Sequence, residues 1–240
     1  MDPMTQAFDE RKARVPEDFD RVASSYDLLT GLNPGYRKHL RWSAERLGLP
    51  PGSRVLDLCC GTGLSTDALV RAIPHASIDA VDASEGMLDI ARRRRARPGV
   101  RYVRGDAMRL HDAGITGPYD GVLMAYGIRN MPDPDEALAG VRAVLASGGR
   151  ACFHEYALDG SVRSRLVWEA VTRSIIIPAG LLAAGTADIW RYLRESVLRF
   201  DSAAGFERRL RQAGFTDLQV LPMDGWQRGI VHSFVARRAA

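Results

Sequence analysis

The chain has 240 residues, 46% of them hydrophobic and 26% charged, with a formal net charge of +4. That is enough apolar matter for one sizeable core, and too little charge imbalance to mark a disordered or nucleic-acid-coating polypeptide. Three cysteines, Cys59, Cys60 and Cys152, form neither a disulfide framework nor a metal-ligand spacing, so a reducing, cytoplasmic setting is expected and no metal is.

Residues 1–20 read as polar and loose, with no apolar stretch of the kind a signal peptide needs. Residues 21–48 read as helical, with "NPG" (33–35) as a break, so residues 1–48 are expected to form a helical lid ahead of a main domain at 49–240. Strand and helix patterns then alternate: "RVLDLC" (54–59), "LSTDALVRAI" (64–73), "SIDAVDA" (77–83), "EGMLDIARRRRA" (85–96), "VRYVRGDA" (100–107), "YDGVLMAYG" (119–127), "PDEALAGVRAVLA" (134–146) and "GGRACFHEY" (148–156). Buried strands separated by helices predict an α/β fold, a doubly wound, Rossmann-like and mostly parallel sheet. The run "RRRRAR" (92–97) ends a helix, where cations suit the macrodipole; it reads as a solvated helix end rather than an anion site. Residues 163–200 interrupt the alternation and read as an inserted helical cap at about 160–200. Its apolar stretch "SIIIPAGLLAAG" (174–185) is too short to span a bilayer. A helix at 202–214 and two strands at 216–223 and 229–238 close the chain, the last expected to run antiparallel.

The strongest local signal is "VLDLCCGTG" (55–63): a strand carrying Asp57, then a turn through Gly61 and Gly63 into a helix. Position 66 is Thr66, so the G-x-G-x-x-G pattern of a pyrophosphate site is absent. Asp82, followed by Ala83, ends the next strand, where a carboxylate can accept from both ribose hydroxyls; Asp106 and Ala107 end the third, within reach of an adenine amine. Each acid alone reads as a capping or turn residue. Together, at three strand ends, they imply a nucleoside with a positive or neutral tail rather than a phosphate, and S-adenosylmethionine fits, with Asp57 helping to hold the cationic end.

The glycine loop resembles motif I of class I S-adenosylmethionine-dependent methyltransferases. "YGIRNMPDPDEALAGVRAVLASGGRACFHEY" (126–156) resembles the G-[LI]-R-N…E stretch of the ubiquinone/menaquinone biosynthesis C-methyltransferases. "FDRVASSYDLLTGL" (19–32) and "IIPAGLLAAGTADIWRYLRESVLRF" (176–200) are similar to two further segments of that family. By position the resemblance implies that Thr62, Asp82, Asp106 and Ala107 contact the cofactor, that Gly61 and Gly63 supply backbone, and that Ala125 offers only a backbone contact. It implies methyl transfer to a ring carbon of a prenylated quinol such as demethylmenaquinol. Departures at Thr30, Ser147 and the closing strand leave a small aromatic or polyketide acceptor, on carbon or oxygen, as the alternative; a non-catalytic binding protein is a third reading, and nucleic-acid methylation a weaker fourth.

For catalysis, Arg129 suits a phenolate oxygen or an ordered water, Asn130 can orient that water, and His154 or Glu155 can complete a proton relay, though alternation along a strand lets only one of the last two face the pocket. The structural alternatives are a brace from Arg129 to Asp133 or Glu155, a helix cap by Asn130, a core role for His154, and packing of Tyr26 over the cofactor. Peripheral contact with the inner face of a membrane and homodimer formation are compatible with the apolar cap.

Overall fold

The computed structural model describes residues 11–12, 14–31 and 33–239. The polar stretch expected at the start falls at 1–10 outside these residues. From Val15 onward the same stretch is helical: α1 runs Val15–Gly31, earlier than the sequence pattern indicates. The strands are β1 (Arg54–Leu58), β2 (Ser77–Asp82), β3 (Val100–Arg104), β4 (Tyr119–Ala125), β5 (Leu145–Tyr156), β6 (Phe215–Pro222) and β7 (Val231–Arg238). They form a seven-stranded sheet in the order β3-β2-β1-β4-β5-β7-β6. The first five are parallel, and β7 runs antiparallel to both β5 and β6.

Two apolar layers explain the burial of the central strands. On one face, Leu40 and Ala44 of α2 (Tyr36–Arg46) and Leu64 and Leu69 of α3 (Leu64–Ala72) pack on Val55, Ile78 and Leu123. On the other, Leu138 and Val141 of α5 (Pro134–Val144) and Phe206 and Leu210 of α9 (Ala203–Gln212) pack on Leu56, Val122 and Phe153. A parallel strand covered on both sides reads as an uninterrupted apolar run, which is why "RVLDL" does not alternate. Helix starts are set by side chains. Ser84 caps α4 (Glu85–Arg95) by accepting from the Met87 amide at 3.1 Å. Asp133 caps α5 by accepting from the Asp135 and Glu136 amides at 2.9 and 3.0 Å, with Pro134 in the first turn. Each such cap stabilises its helix by roughly 1 kcal/mol. The cap at α5 is therefore Asp133 and not Asn130.

The insertion is helical, as the sequence indicates. It comprises α6 (Val162–Val171), a π-helical turn (Thr172–Ile176), α7 (Ile177–Ala184) and α8 (Asp188–Arg199). Gly180 lets α7 lie against α8, because a Cβ there would sit 2.0 Å from the Trp190 ring. From Val162 to Ala184 the helix is continuous over 23 residues, with mean hydropathy 1.5 and only 17% of its most apolar window buried. Length and composition would let it cross a bilayer, whereas the apolar run 174–185 by itself would not. In this fold its inner side is occupied: Trp168 and Thr172 have no exposed surface.

Candidate active site

The sheet order reverses at β1 and β4, and a crevice opens beyond their carboxyl ends, the usual ligand position in an open α/β sheet. Both strands leave the sheet through a non-glycine residue in the left-handed region: Cys59 after β1 at φ 60°, Tyr126 after β4 at φ 57°. Such backbone costs on the order of 1–3 kcal/mol and persists where the surroundings demand it. The crevice deepens into a cavity of about 1060 Å³, at the upper end of small-ligand sites and roomy enough for two molecules side by side.

On the β1–β3 side the cavity is lined by Gly61, Thr62, Asp82, Ala83, Asp106 and Ala107, with Ala125 from β4. A Cβ at Gly61 would point into open space, so this bare backbone faces whatever enters. Asp82 accepts from the Gly61 amide at 2.8 Å and from the Ser84 amide at 2.9 Å, one on each oxygen. Each oxygen keeps a second acceptor position, enough for a pair of ribose hydroxyls. Burial raises the Asp82 carboxyl above its usual range, and the two amides counter it. Asp106 accepts from the Met108 amide at 2.9 Å and lies half exposed at the rim. These residues fit an uncharged sugar and purine.

Two expected cofactor residues are placed otherwise. Gly63 does not line the cavity; it caps α3 at φ 87°. Asp57 is fully buried behind the loop, its Oδ2 accepting from Ser65 Oγ at 2.8 Å and Thr66 Oγ1 at 2.6 Å. Burial pushes its carboxyl up to about 7, and its Oδ1 finds no partner among the described residues. The side chain therefore holds the loop against α3, and the expected direct grip on a cationic tail is not what its position provides.

Helix α1 closes over this half of the cavity. Asp20 accepts from the Gly86 amide at 2.9 Å, and Asp27 accepts from Thr62 Oγ1 at 2.6 Å and from Arg94 and Arg95 at 3.1 and 2.9 Å. In the basic run 92–97, Arg93, Arg94 and Arg97 stay exposed, as expected of a solvated helix end, while Arg92, Arg94 and Arg95 also pair with carboxylates. Arg95 is buried, donating also to Asp67 and the Thr62 carbonyl. Burial alone would raise the Asp27 carboxyl, but the bonds from Thr62 and Arg95 bring it below its usual range. Tyr26 lines the cavity, its hydroxyl 3.3 Å from that of Tyr36.

The second half of the cavity is built on "YGIRN". Arg129 Nη1 donates to Glu155 Oε1 at 2.7 Å and to the Tyr126 carbonyl at 2.8 Å, while Nε reaches Ser196 Oγ of α8 at 3.3 Å. Burial raises Glu155 and the adjacent guanidinium works against it; the same pairing keeps Arg129 firmly charged. Arg129 lines the cavity and braces the strand end at once, and its Nη2 makes no hydrogen bond among the described residues. Asn130 donates to the Tyr126 carbonyl at 3.1 Å and accepts from the Tyr192 hydroxyl at 3.2 Å, which ties the site to the cap.

His154 does not line the cavity, and neither does Glu155. It is fully buried on the α2 side of β5, with Nδ1 2.8 Å from Ser43 Oγ and Nε2 2.8 Å from the Tyr126 hydroxyl. Burial, helped by His39, Arg46 and His232, pushes its pKa down to about 3. A directly acting base at His154 is therefore corrected by its position and by its reluctance to take a proton.

Sequence patterns overlooked the tyrosines. Tyr36, Tyr126 and Tyr156 join Tyr26 and Tyr192 in the cavity wall. Tyr36 stacks on Tyr126 at 5.5 Å, and the Tyr156 ring lies tilted against Tyr126 with centroids 4.8 Å apart. They come from α2, the end of β4 and the end of β5, so no local spacing connects them. Asp27 was visible in "SSYD", but its partner Thr62 is remote in sequence. Among the described residues no cluster of His, Cys, Asp and Glu could hold a metal ion.

A family profile described as the ubiE/COQ5 methyltransferase family matches residues 4–236. The chain is 29% identical over 226 residues to a demethylmenaquinone methyltransferase of Geobacillus kaustophilus, covering 91% of this chain and 94% of that protein. It is 33% identical over 218 residues to a ubiquinone/menaquinone biosynthesis C-methyltransferase of Methylobacterium nodulans, covering 86% and 84%. Among solved structures it resembles a Haemonchus contortus phosphoethanolamine N-methyltransferase in complex with S-adenosyl-L-methionine, with a TM-score of 0.67 at 16% identity over 92% of this chain and 57% of the other.

Proposed function

The chain belongs to the ubiE/COQ5 methyltransferase family, and we propose that this S-adenosylmethionine-dependent methyltransferase acts on a ring carbon of a prenylated hydroquinone, of which demethylmenaquinol is the type. The observation that carries the reading is the composition of the second half of the cavity. A cationic Arg129 and the Asn130–Tyr192 pair stand at one end, aromatic rings form the walls, and Val171, Ile175, Ile176 and Ala179 of the cap continue it as an apolar passage. The names of the relatives point the same way.

The cofactor supplies a methyl group on a cationic sulfur. The chain's contribution is to align that methyl with a carbon nucleophile. Asp82, Asp106 and the backbone at Gly61, Ala83, Ala107 and Ala125 are proposed to hold the nucleoside, with α1 latched over it through Asp27 and Thr62. Arg129 is proposed to favour the phenolate of the quinol, whose ring carbon is thereby made electron-rich, because phenols otherwise lose their proton only near pH 10. The apolar passage would take the prenyl chain. The outer face of the cap exposes Val162, Leu166, Leu181 and Leu182, between 51% and 88% accessible. We place this face against a lipid bilayer, from which a prenylated quinol can slide inward.

The test is incubation of the purified protein with labelled methyl donor and a panel of reduced quinones and small phenols, followed by mass analysis of the methylated atom. Carbon methylation of a prenylated quinol is expected. Methylation only of small phenols, or on oxygen, would move the assignment to a secondary-metabolite acceptor. Donor binding with no transfer to any acceptor would overturn it.

A further inference from the structure

A chain of polar side chains crosses the otherwise apolar packing between α2 and the sheet. Arg46 Nη1 donates to Ser233 Oγ at 2.9 Å. Ser233 and Ser43 Oγ are 2.7 Å apart, Ser43 Oγ is 2.8 Å from His154 Nδ1, and His154 Nε2 is 2.8 Å from the Tyr126 hydroxyl. Ser43, His154 and Ser233 are essentially without exposed surface, and Tyr126 at the inner end lines the cavity. Buried polar groups are retained only when satisfied. Here the satisfaction has a direction.

Arginine can only donate, so the Ser233 oxygen is an acceptor at that end. With the imidazole proton on Nε2, Ser233 donates to Ser43, Ser43 to Nδ1, and Nε2–H to the Tyr126 oxygen. Every donor in the chain is then used, and the Tyr126 proton is left for acceptors on the cavity side. On that side stand the Tyr156 ring, its centroid 4.8 Å from that of Tyr126, and the ligand. The opposite tautomer reverses the chain and leaves the Ser233 proton without an acceptor among the described residues, since its other partner, Arg46, can only donate. A neutral imidazole is required in both cases, in keeping with its low pKa.

We propose that Tyr126 is a substrate-contacting residue whose hydroxyl donates a hydrogen bond to a ring oxygen of the hydroxyaromatic acceptor, held in that donor role by the buried chain Arg46–Ser233–Ser43–His154. His154 is then a positioning residue and not a base. Tyr126 supplements Arg129 at the phenolate, and the two reach it from β4's end by different routes. The inference rests on the reading of the cavity as a hydroxyaromatic site. The other ionisable groups around the Tyr126 hydroxyl are Tyr26 from α1, Tyr36 from α2, Glu155 and Tyr156 from β5, and Arg129. All the tyrosines among them are raised by burial, so none ionises in the neutral range.

The test uses 4-nitro-1-naphthol, whose phenolate absorbs in the visible, titrated against pH in complex with the full chain and S-adenosylhomocysteine. Wild type should bind the phenolate in preference, lowering the probe's pKa. Tyr126→Phe, which keeps the stacked ring, and His154→Leu should each weaken that preference about tenfold, the scale of one hydrogen bond to a charged oxygen. His154→Gln should retain it, because a glutamine amide can accept from Ser43 and donate to Tyr126 yet cannot act as a base. An unchanged probe pKa in Tyr126→Phe would overturn the inference while leaving the hydroxyaromatic reading standing. His154→Gln behaving like His154→Leu would overturn the donor chain. Failure of wild type to bind the naphthol at all would remove the underlying reading and this inference with it.

Discussion

Arg129 Nη1 lies 2.7 Å from Glu155 Oε1, with the two side chains 4% and 0% exposed. Breaking a buried pair by deleting one partner strands the other charge, at about 3–5 kcal/mol. Arg129→Met and Glu155→Gln should each destabilise by that order, and the double variant by clearly less than their sum. Chemical denaturation of the four proteins measures it; strict additivity would show that the pair is not coupled. Because Arg129 also faces the cavity, any loss of turnover in Arg129→Met should be judged only under conditions where the variant is folded.

The latch between Asp27 and Thr62 predicts a lid that loosens on acidification. The folded Asp27 carboxyl sits below its unfolded value, so its contribution is present above the unfolded pKa and is lost as pH falls through the folded one. Asp27→Asn should expose α1 to limited proteolysis at neutral pH and weaken S-adenosylmethionine binding several-fold, leaving the sheet intact. Equal cleavage of variant and wild type would separate α1 from cofactor retention.

Asp57 predicts a slope of opposite sign. Its folded pKa of about 7 lies above an unfolded value near 3.9, so the folded state holds the extra proton between them. The stability it contributes is complete below about pH 4 and declines as pH rises through 7. Melting temperatures of Asp57→Asn and wild type, compared from pH 5 to 8 without ligand, should converge or cross in favour of the variant as pH rises. A difference that stays constant over that range would mean the carboxyl is already ionised at pH 5.

The exposed cap predicts binding to lipid. Leu182 is 88% and Leu166 64% accessible. The double variant Leu166→Asp/Leu182→Asp should lose sedimentation with phospholipid vesicles and lose activity on a prenylated quinol presented in them. Activity on a water-soluble naphthohydroquinone should be unchanged. Loss of a dimer in the same variant, with vesicle binding unaffected, would assign the face to a second copy of the chain.

Particular elements show how much of this was legible beforehand. The strand–glycine–helix unit at 55–73 and the acids ending β2 and β3 follow from local pattern, because strand ends and turns are set by nearest neighbours. The roles of Asp57 and His154 do not. Both lie on strands whose two faces look alike in an apolar run, so sequence cannot say which side faces ligand. Asp57 turned toward Ser65 and Thr66, and His154 toward Ser43 of a helix more than a hundred residues away.

The sequence by itself determined the alternating elements, the crevice at their carboxyl ends and the placing of Asp82 and Asp106 on its wall, since these are consequences of short-range chemistry along one chain. Only the tertiary structure decided the ion pair at Arg129, the closure by α1 and the tyrosine wall. Each of those joins residues from separate elements, and which buried polar group meets which partner is settled by packing, where an unmatched charge or donor is too costly to leave alone.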